Sequence, residues 1–130
     1  MASFTNAERA YLSGQRLARL ATASENGQPD VSAVGFSVDG DTIVSGGLDL
    51  TKTVRYRHLL RNPRATVVVD DLESADSWRP RGVKVRGRAV LEDDGGKPRI
   101  RIHPETIWSW GINEDAPKHF ADRIEKRQVG

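Results

Sequence analysis

Gly82-Val83-Lys84-Val85-Arg86-Gly87-Arg88-Ala89-Val90-Leu91 is the longest alternation in the chain. Val83, Val85, Gly87, Ala89 and Leu91 are small or apolar, with Lys84, Arg86 and Arg88 set between them. Successive side chains of a strand point to opposite faces, so the segment reads as a half-exposed strand with a cationic outer side. Such a strand suits an antiparallel sheet with one wet face. Downstream, Asp93-Asp94-Gly95-Gly96 reverses the chain into a strand from Arg99 to His103, and Thr106 to Trp110 reads as another after a break at Pro104. Upstream, the irregular stretch Trp78-Arg79-Pro80-Arg81-Gly82 separates it from Arg64 to Asp71, where the run Thr66-Val67-Val68-Val69 predicts a strand buried on both faces.

Further toward the amino terminus, Thr5-Asn6-Ala7-Glu8 has the form of a capping box, and Gly14 is placed to end the helix it starts. Short apolar alternation from Leu17 to Ala23 and a turn at Ser24 to Pro29 predict two strands around a hairpin loop. In Val31 to Val38, Ser32, Val34, Phe36 and Val38 share one face, while Val31, Ala33, Gly35 and Ser37 form a small-sided other face. Small residues on a strand permit tight packing, and they also let a flat ring approach the backbone. Asp39-Gly40 turns into Thr42 to Gly47, which ends in a glycine pair. From Lys52 to Asn62 the period changes to that of a helix with Tyr56, Leu59 and Leu60 as its apolar stripe, stopped by Pro63. Phe120 and Ile124, four apart, predict a short helix or frayed tail over about 114–130. Six or seven short antiparallel strands, an N-terminal helix and one internal helix make residues 1–130 a single, mostly β domain, a small barrel.

The chain has 130 residues and no cysteine, which removes disulfides, thiolate metal sites and a cysteine nucleophile. Its histidines, at 58, 103 and 119, lack the spacing of a metal motif, so no metal site is predicted. No apolar run approaches the ~20 residues of a membrane span, and the first residues resemble no signal peptide. The expectation is a cytoplasmic protein without a membrane or nucleic-acid partner, since 20 Lys and Arg nearly balance 18 Asp and Glu.

Motifs for a nucleophile elbow, a zinc protease, a P-loop or a dinucleotide fold are absent, and His103-Pro104-Glu105 lacks the cysteines of a zinc deaminase. The remaining chemistry is cationic. Gly46-Gly47 leads into a helix start bearing Thr51, Lys52, Thr53, Arg55 and Arg57, a pattern that suits a phosphate or carboxylate. The competing reading is a solvated helix face whose cations pair with carboxylates. The stripe Lys84, Arg86, Arg88 has no interleaved aromatic platform, so a solvated face or an anionic partner explains it better than a nucleic acid. Trp78 sits in a loop without apolar companions, at an interface or pocket lip as readily as in a core.

Arg16 to Thr22, Val34-Gly35-Phe36 and Arg61-Asn62-Pro63-Arg64 resemble the pyridoxamine 5′-phosphate oxidase-like split β-barrel flavoproteins. Val69-Asp70-Asp71-Leu72, Trp78 to Val83 with Arg86-Gly87, and Ile100 to Pro104 with Ser109-Trp110-Gly111 are similar to the branch that uses the deazaflavin F420. The resemblance runs over about residues 4 to 113. It implies an FMN-binding-protein-like split barrel and a homodimer with two cofactor sites at the subunit interface. It further implies an isoalloxazine-type ring along Val34, Gly35 and Phe36, with the anionic tail near Lys52, Thr53, Arg55 and Arg57. Trp78 and Arg79 complete the candidate cofactor contacts, and no catalytic side chain is assigned. Many relatives carry Lys where this chain has Arg55, and often Asn where it has His58; Arg keeps the charge with a planar fork, and Lys52 lies one helical turn away. The implied activity is hydride transfer between reduced F420 and an electron-poor small molecule. An FMN enzyme of the same fold and a non-catalytic flavin carrier are the alternatives, with a single-strand nucleic-acid binder as an outsider.

Overall fold

The computed structural model describes residues 4–113 and 124–129. Helix α1 (Asn6–Ser13) starts at the predicted capping box: the Thr5 hydroxyl accepts from the Glu8 amide, and the Glu8 carboxylate accepts from the Thr5 amide. Gly14 caps its end. Strands β1 (Leu17–Ala23) and β2 (Pro29–Gly35) form the first hairpin, and β3 (Ser37–Asp39) and β4 (Thr42–Ser45) the second. A 3₁₀ turn (Leu50–Lys52) precedes helix α2 (Val54–Arg61). The long strands β5 (Arg64–Ser74), β6 (Ser77–Asp94) and β7 (Lys97–Trp110) follow, and β8 (Glu125–Gln128) pairs with β7.

Neighbouring strands of the sheet pair antiparallel, in the order β2-β1-β5-β6-β7-β4-β3. Its two end strands, β2 and β3, are joined in sequence by Phe36 alone. A sheet whose ends are one residue apart must curl back on itself, and the Ser45 hydroxyl, donating to the Gly35 carbonyl at 2.9 Å, ties the seam. This is the split barrel. Inside it Leu20, Ile43, Leu50, Val67, Val69, Val83, Val85, Ile100, Ile102 and Ile107 are almost fully buried. Each such side chain contributes about 1.5–3 kcal/mol by leaving water.

Several expectations change. Val31 to Val38 is two strands, because β2 pairs with β1 and β3 with β4, so the chain changes partner at Phe36. The run Arg64 to Asp71 is buried on one side only, through Ala65, Val67 and Val69, while Thr66 and Val68 are half-exposed on the other. Trp78 to Gly82 is strand, not irregular: Pro80 faces Leu72 of β5, and pairing with β7 begins only at Gly82, so the proline sits where a missing donor is tolerated. Pro104 does not break the final strand. The pairing Arg86 with Thr106 but Gly87 with Pro104 leaves Glu105 as an extra residue, a bulge within one continuous β7. Gly87 is required there, since a Cβ would lie 2.0 Å from the His103 carbonyl oxygen.

Helix α2 begins at Val54 rather than Lys52, and Leu60 is 59% exposed, so its buried stripe reduces to Leu59 with half-buried Tyr56. Of the tail expected to be helix or frayed, Phe120 lies outside the described residues, while Glu125–Gln128 is a strand, giving eight strands among the described residues where six or seven were expected. What holds β8 is chemical as well as geometric. Arg127 donates through both terminal nitrogens to the fully buried Glu8 carboxylate. Burial pushes the Glu8 carboxyl up, but the Arg127 guanidinium and the Thr5 amide more than offset this and hold it below the usual carboxylate range.

A candidate cofactor groove

Two depressions compete for the role of the site. The larger, about 820 Å³, lies beside α1 and is lined by Tyr11, Glu73, Arg79, Arg81 and Gly111 among others. Its charges satisfy one another. Arg81 donates to both Asp71 oxygens at 2.7 and 3.0 Å, and the Tyr11 hydroxyl donates to the same carboxylate at 2.9 Å. The bond from Arg81 holds Asp71 below the usual carboxylate range, and burial with the Asp71 contact pushes the Tyr11 hydroxyl well above its ordinary value. Arg79 stands 3.7 Å from Glu73 in an exposed pair.

The smaller groove, about 530 Å³, is chemically open. Its floor is Gly35 and Phe36 at the barrel seam, one wall is Gly46-Gly47-Leu48-Asp49, and the other is Gly96 to Arg99 at the β6–β7 turn. The second wall is brought there by the pairing of Ser45 with Ile100 and Val44 with Arg101. Val31, Ala33, Gly35 and Ser37, the small-sided set of the alternation, are all exposed rather than tightly packed, and a Cβ on Gly35 would meet nothing within 4 Å. The backbone here is thus bare to a flat ligand.

Arg55 stands against the Gly46-Gly47 wall. Its Nη2 donates to the Gly46 carbonyl at 3.4 Å, its Nε is buried without a hydrogen-bond partner, and a Cβ on Gly47 would come within 2.7 Å of its Nη2. Gly47 (φ 147°) and Asp49 (φ 54°) carry the bend that brings the wall past the guanidinium. An unsatisfied buried donor on a cation is costly, and it lies behind the Gly46-Gly47 wall, while the cations lining the groove itself are Lys97 and Arg99.

The predicted site residues divide. Gly35, Phe36 and Arg55 meet at or beside the groove, whereas Val34 is buried and faces the core, so only its backbone is in reach. The Thr53 hydroxyl is used as the α2 cap, accepting from the Tyr56 amide and donating to the Leu50 carbonyl at 2.6 Å. Lys52 is exposed on the 3₁₀ turn, and Arg57, also exposed, donates to the Lys52 carbonyl at 3.2 Å. Neither lines the groove. Trp78, 81% exposed, and Arg79 belong to the β5–β6 hairpin rather than to this groove. Sequence reasoning missed Leu48, Asp49, Lys97 and Arg99. The glycines of the Gly95-Gly96 turn were legible, but nothing local says that this turn packs beside Gly46.

An open β barrel with an arginine beside a bare, glycine-floored seam has room there for a flat ligand. Residues 4–111 match the pyridoxamine 5′-phosphate oxidase family, and the chain belongs to it. A 5a,11a-dehydrotetracycline/5a,11a-dehydrooxytetracycline reductase of Streptomyces rimosus is 36% identical, over 86% of each chain. The chain is therefore an oxidoreductase of this family. A heme-binding protein of Mycobacterium smegmatis superposes with a TM-score of 0.72 at 16% identity, covering 98% of this chain and 60% of that one. An FAD-binding protein of Mesorhizobium loti superposes with a TM-score of 0.64 at 18% identity, covering 80% and 92%. At these identities both support the fold alone. This chain spans only about three fifths of the M. smegmatis protein.

Proposed function

We propose that the protein is an F420-dependent reductase, a cytoplasmic homodimer that transfers hydride from reduced F420 to an electron-poor double bond of a small molecule. The observation that carries this reading is Arg55, whose buried Nε lacks a partner beside a bare glycine floor. The reductase from S. rimosus supports the reaction class and suggests a polycyclic, conjugated acceptor. Gly35 and the Phe36 backbone would support the ring, and Arg55 with the Gly46-Gly47 wall would hold the phosphate. When bound, the cofactor supplies the hydride, and the protein supplies orientation and exclusion of water.

The outer face of the same strands supports the dimer reading. Leu17 and Val31, 57% and 65% exposed, sit with Ala21 and Ala33 around Gly35, apolar side chains interrupted by Arg19 opposite Ala33, beside the two unpaired strand edges of the seam. A second copy covering this face would bury both the edges and the ring. Trp78 and Arg79, remote from this chain's own groove, are then candidates to reach the partner's.

F420 carries a phosphodiester and a carboxylate tail where FMN carries one phosphate, so the longer anion gains more from Lys97 and Arg99 on the far wall. Titrations of F420 and FMN into wild type and Arg55→Ala at two salt concentrations test the proposal. F420 should bind more tightly, lose roughly one to two powers of ten on Arg55→Ala, and weaken more steeply with salt. Tighter FMN binding would overturn the cofactor assignment. Bound cofactor without turnover of any conjugated acceptor would make the protein a carrier.

A further inference from the structure

The pairing of the sheet passes Phe36 by. Strand β2 ends its ladder with Gly35 opposite Leu17, and β3 begins its own with Ser37 opposite Val44. Among the described residues the Phe36 amide has no hydrogen-bond partner. Backbone donors of a folded chain are nearly always paired, so one left open at the floor of a groove calls for a reason. The Phe36 side chain packs against the barrel core. What Phe36 contributes to the lining of the groove is therefore its backbone, between exposed Gly35 and exposed Ser37.

The direction of that amide is set by its neighbours. Ser45, almost fully buried, donates its hydroxyl to the Gly35 carbonyl at 2.9 Å. The Gly35–Phe36 peptide bond is trans, and in a trans peptide the N–H lies opposite the C=O. A carbonyl held by a buried hydroxyl thus turns the Phe36 N–H the other way, toward the open side of the seam. Glycine leaves this peptide plane easy to turn, which gives the hydroxyl something to restrain. It also leaves the approach clear, with nothing within 4 Å of the place a Cβ would take.

We propose that Ser45 is a positioning residue: through the Gly35 carbonyl it aims the Phe36 N–H into the groove, to donate to a hydrogen-bond acceptor on the edge of the planar cofactor. The inference rests on the reading of the groove as a cofactor site, and it holds for either a flavin or a deazaflavin. A donor fixed before the ligand arrives needs no reorganisation on binding. It also draws electron density toward the ring atom it meets, which shifts the visible absorption of the bound ring.

The test is amide NMR of the isotope-labelled full chain, titrated with F420 and, in a parallel sample, with FMN. The Phe36 amide proton should move downfield further than that of Ser37 and become protected from exchange with solvent. Ser45→Ala should abolish that shift, return the absorption of the bound ring toward that of the free one, and weaken binding about three- to tenfold, as expected for one neutral hydrogen bond. Ser45→Thr, which keeps the hydroxyl, should restore all three. Should Ser45→Ala unfold by circular dichroism, Ser45→Cys, a weak donor of similar volume, carries the same test. If neither cofactor binds wild type, the cofactor reading and this one fall together. If one binds while the Phe36 amide stays where it was, the role given to Ser45 alone is overturned. Weaker binding by Ser45→Ala with the Phe36 shift intact would overturn it too, since the hydroxyl would then act on the fold and not on the amide.

Discussion

Two glycines show how differently one residue type can be used. Gly35 faces open space and Gly87 faces a backbone carbonyl. Gly35→Leu should therefore leave the unfolding transition nearly where it is while abolishing cofactor binding, as read by chemical denaturation beside a cofactor titration. Loss of the fold before loss of binding would return Gly35 to a packing role. Gly87→Ala should do the reverse, lowering stability by about 1–3 kcal/mol or more as a shifted denaturant midpoint at constant slope. The alternation of Val31 to Val38 grouped Gly35 with the small residues, while the open space in front of it came only with the fold. It could not reveal Gly87's role, because the Pro104–Glu105 bulge that crowds it belongs to another strand. Val34 was implied by the family resemblance together with Gly35, and the period of two that exposes one buries the other.

At the scale of elements, whatever was decided locally was legible: the capping box of α1, the Gly95-Gly96 turn, the inward face of β6. Elements decided by distant partners were not. Strand β8 is held to β7 and to a carboxylate 119 residues away, so the helical spacing of Phe120 and Ile124 carried no information about Glu125–Gln128. The Glu8–Arg127 pair makes a prediction with a definite sign. The folded pKa of Glu8 lies below its ordinary value of 4.5, so the unfolded chain takes up the proton first. The pair's contribution is complete above that ordinary value and is lost as pH falls through the folded pKa. Arg127→Met leaves a buried carboxylate without its counter-charge and should cost about 3–5 kcal/mol at neutral pH. The difference from wild type should shrink on acidification, when the variant's Glu8 is neutral. Unfolding curves at neutral and acidic pH check both halves; a cost that does not change with pH would show that Arg127 acts by packing alone.

For the whole molecule, the barrel class followed from strand number, turn chemistry and the shortage of helix, whereas the position of the groove depended on which strands meet at the closure. The apolar face around Leu17, Val31 and Ala33 predicts a dimer at micromolar concentration by light scattering, and Val31→Glu should shift it toward monomer with loss of cofactor binding. A wild-type monomer that binds cofactor at full affinity would place the site within one chain. The seam itself behaves as a hoop fastened by one rivet: Phe36 is the only covalent link between the two ends of the sheet, and the Ser45–Gly35 hydrogen bond is a clasp beside it. A ligand lying across Gly35 acts as a second clasp. At a hundredfold excess over its dissociation constant it adds about 2.7 kcal/mol to the closed form. Amide exchange should then slow in β2 and β3 together, at opposite ends of the sheet order, while the terminal residues of β5 and β6 around the Ser74–Ser77 turn exchange as before. The cofactor would thus serve the protein as a structural fastener as well as a reagent.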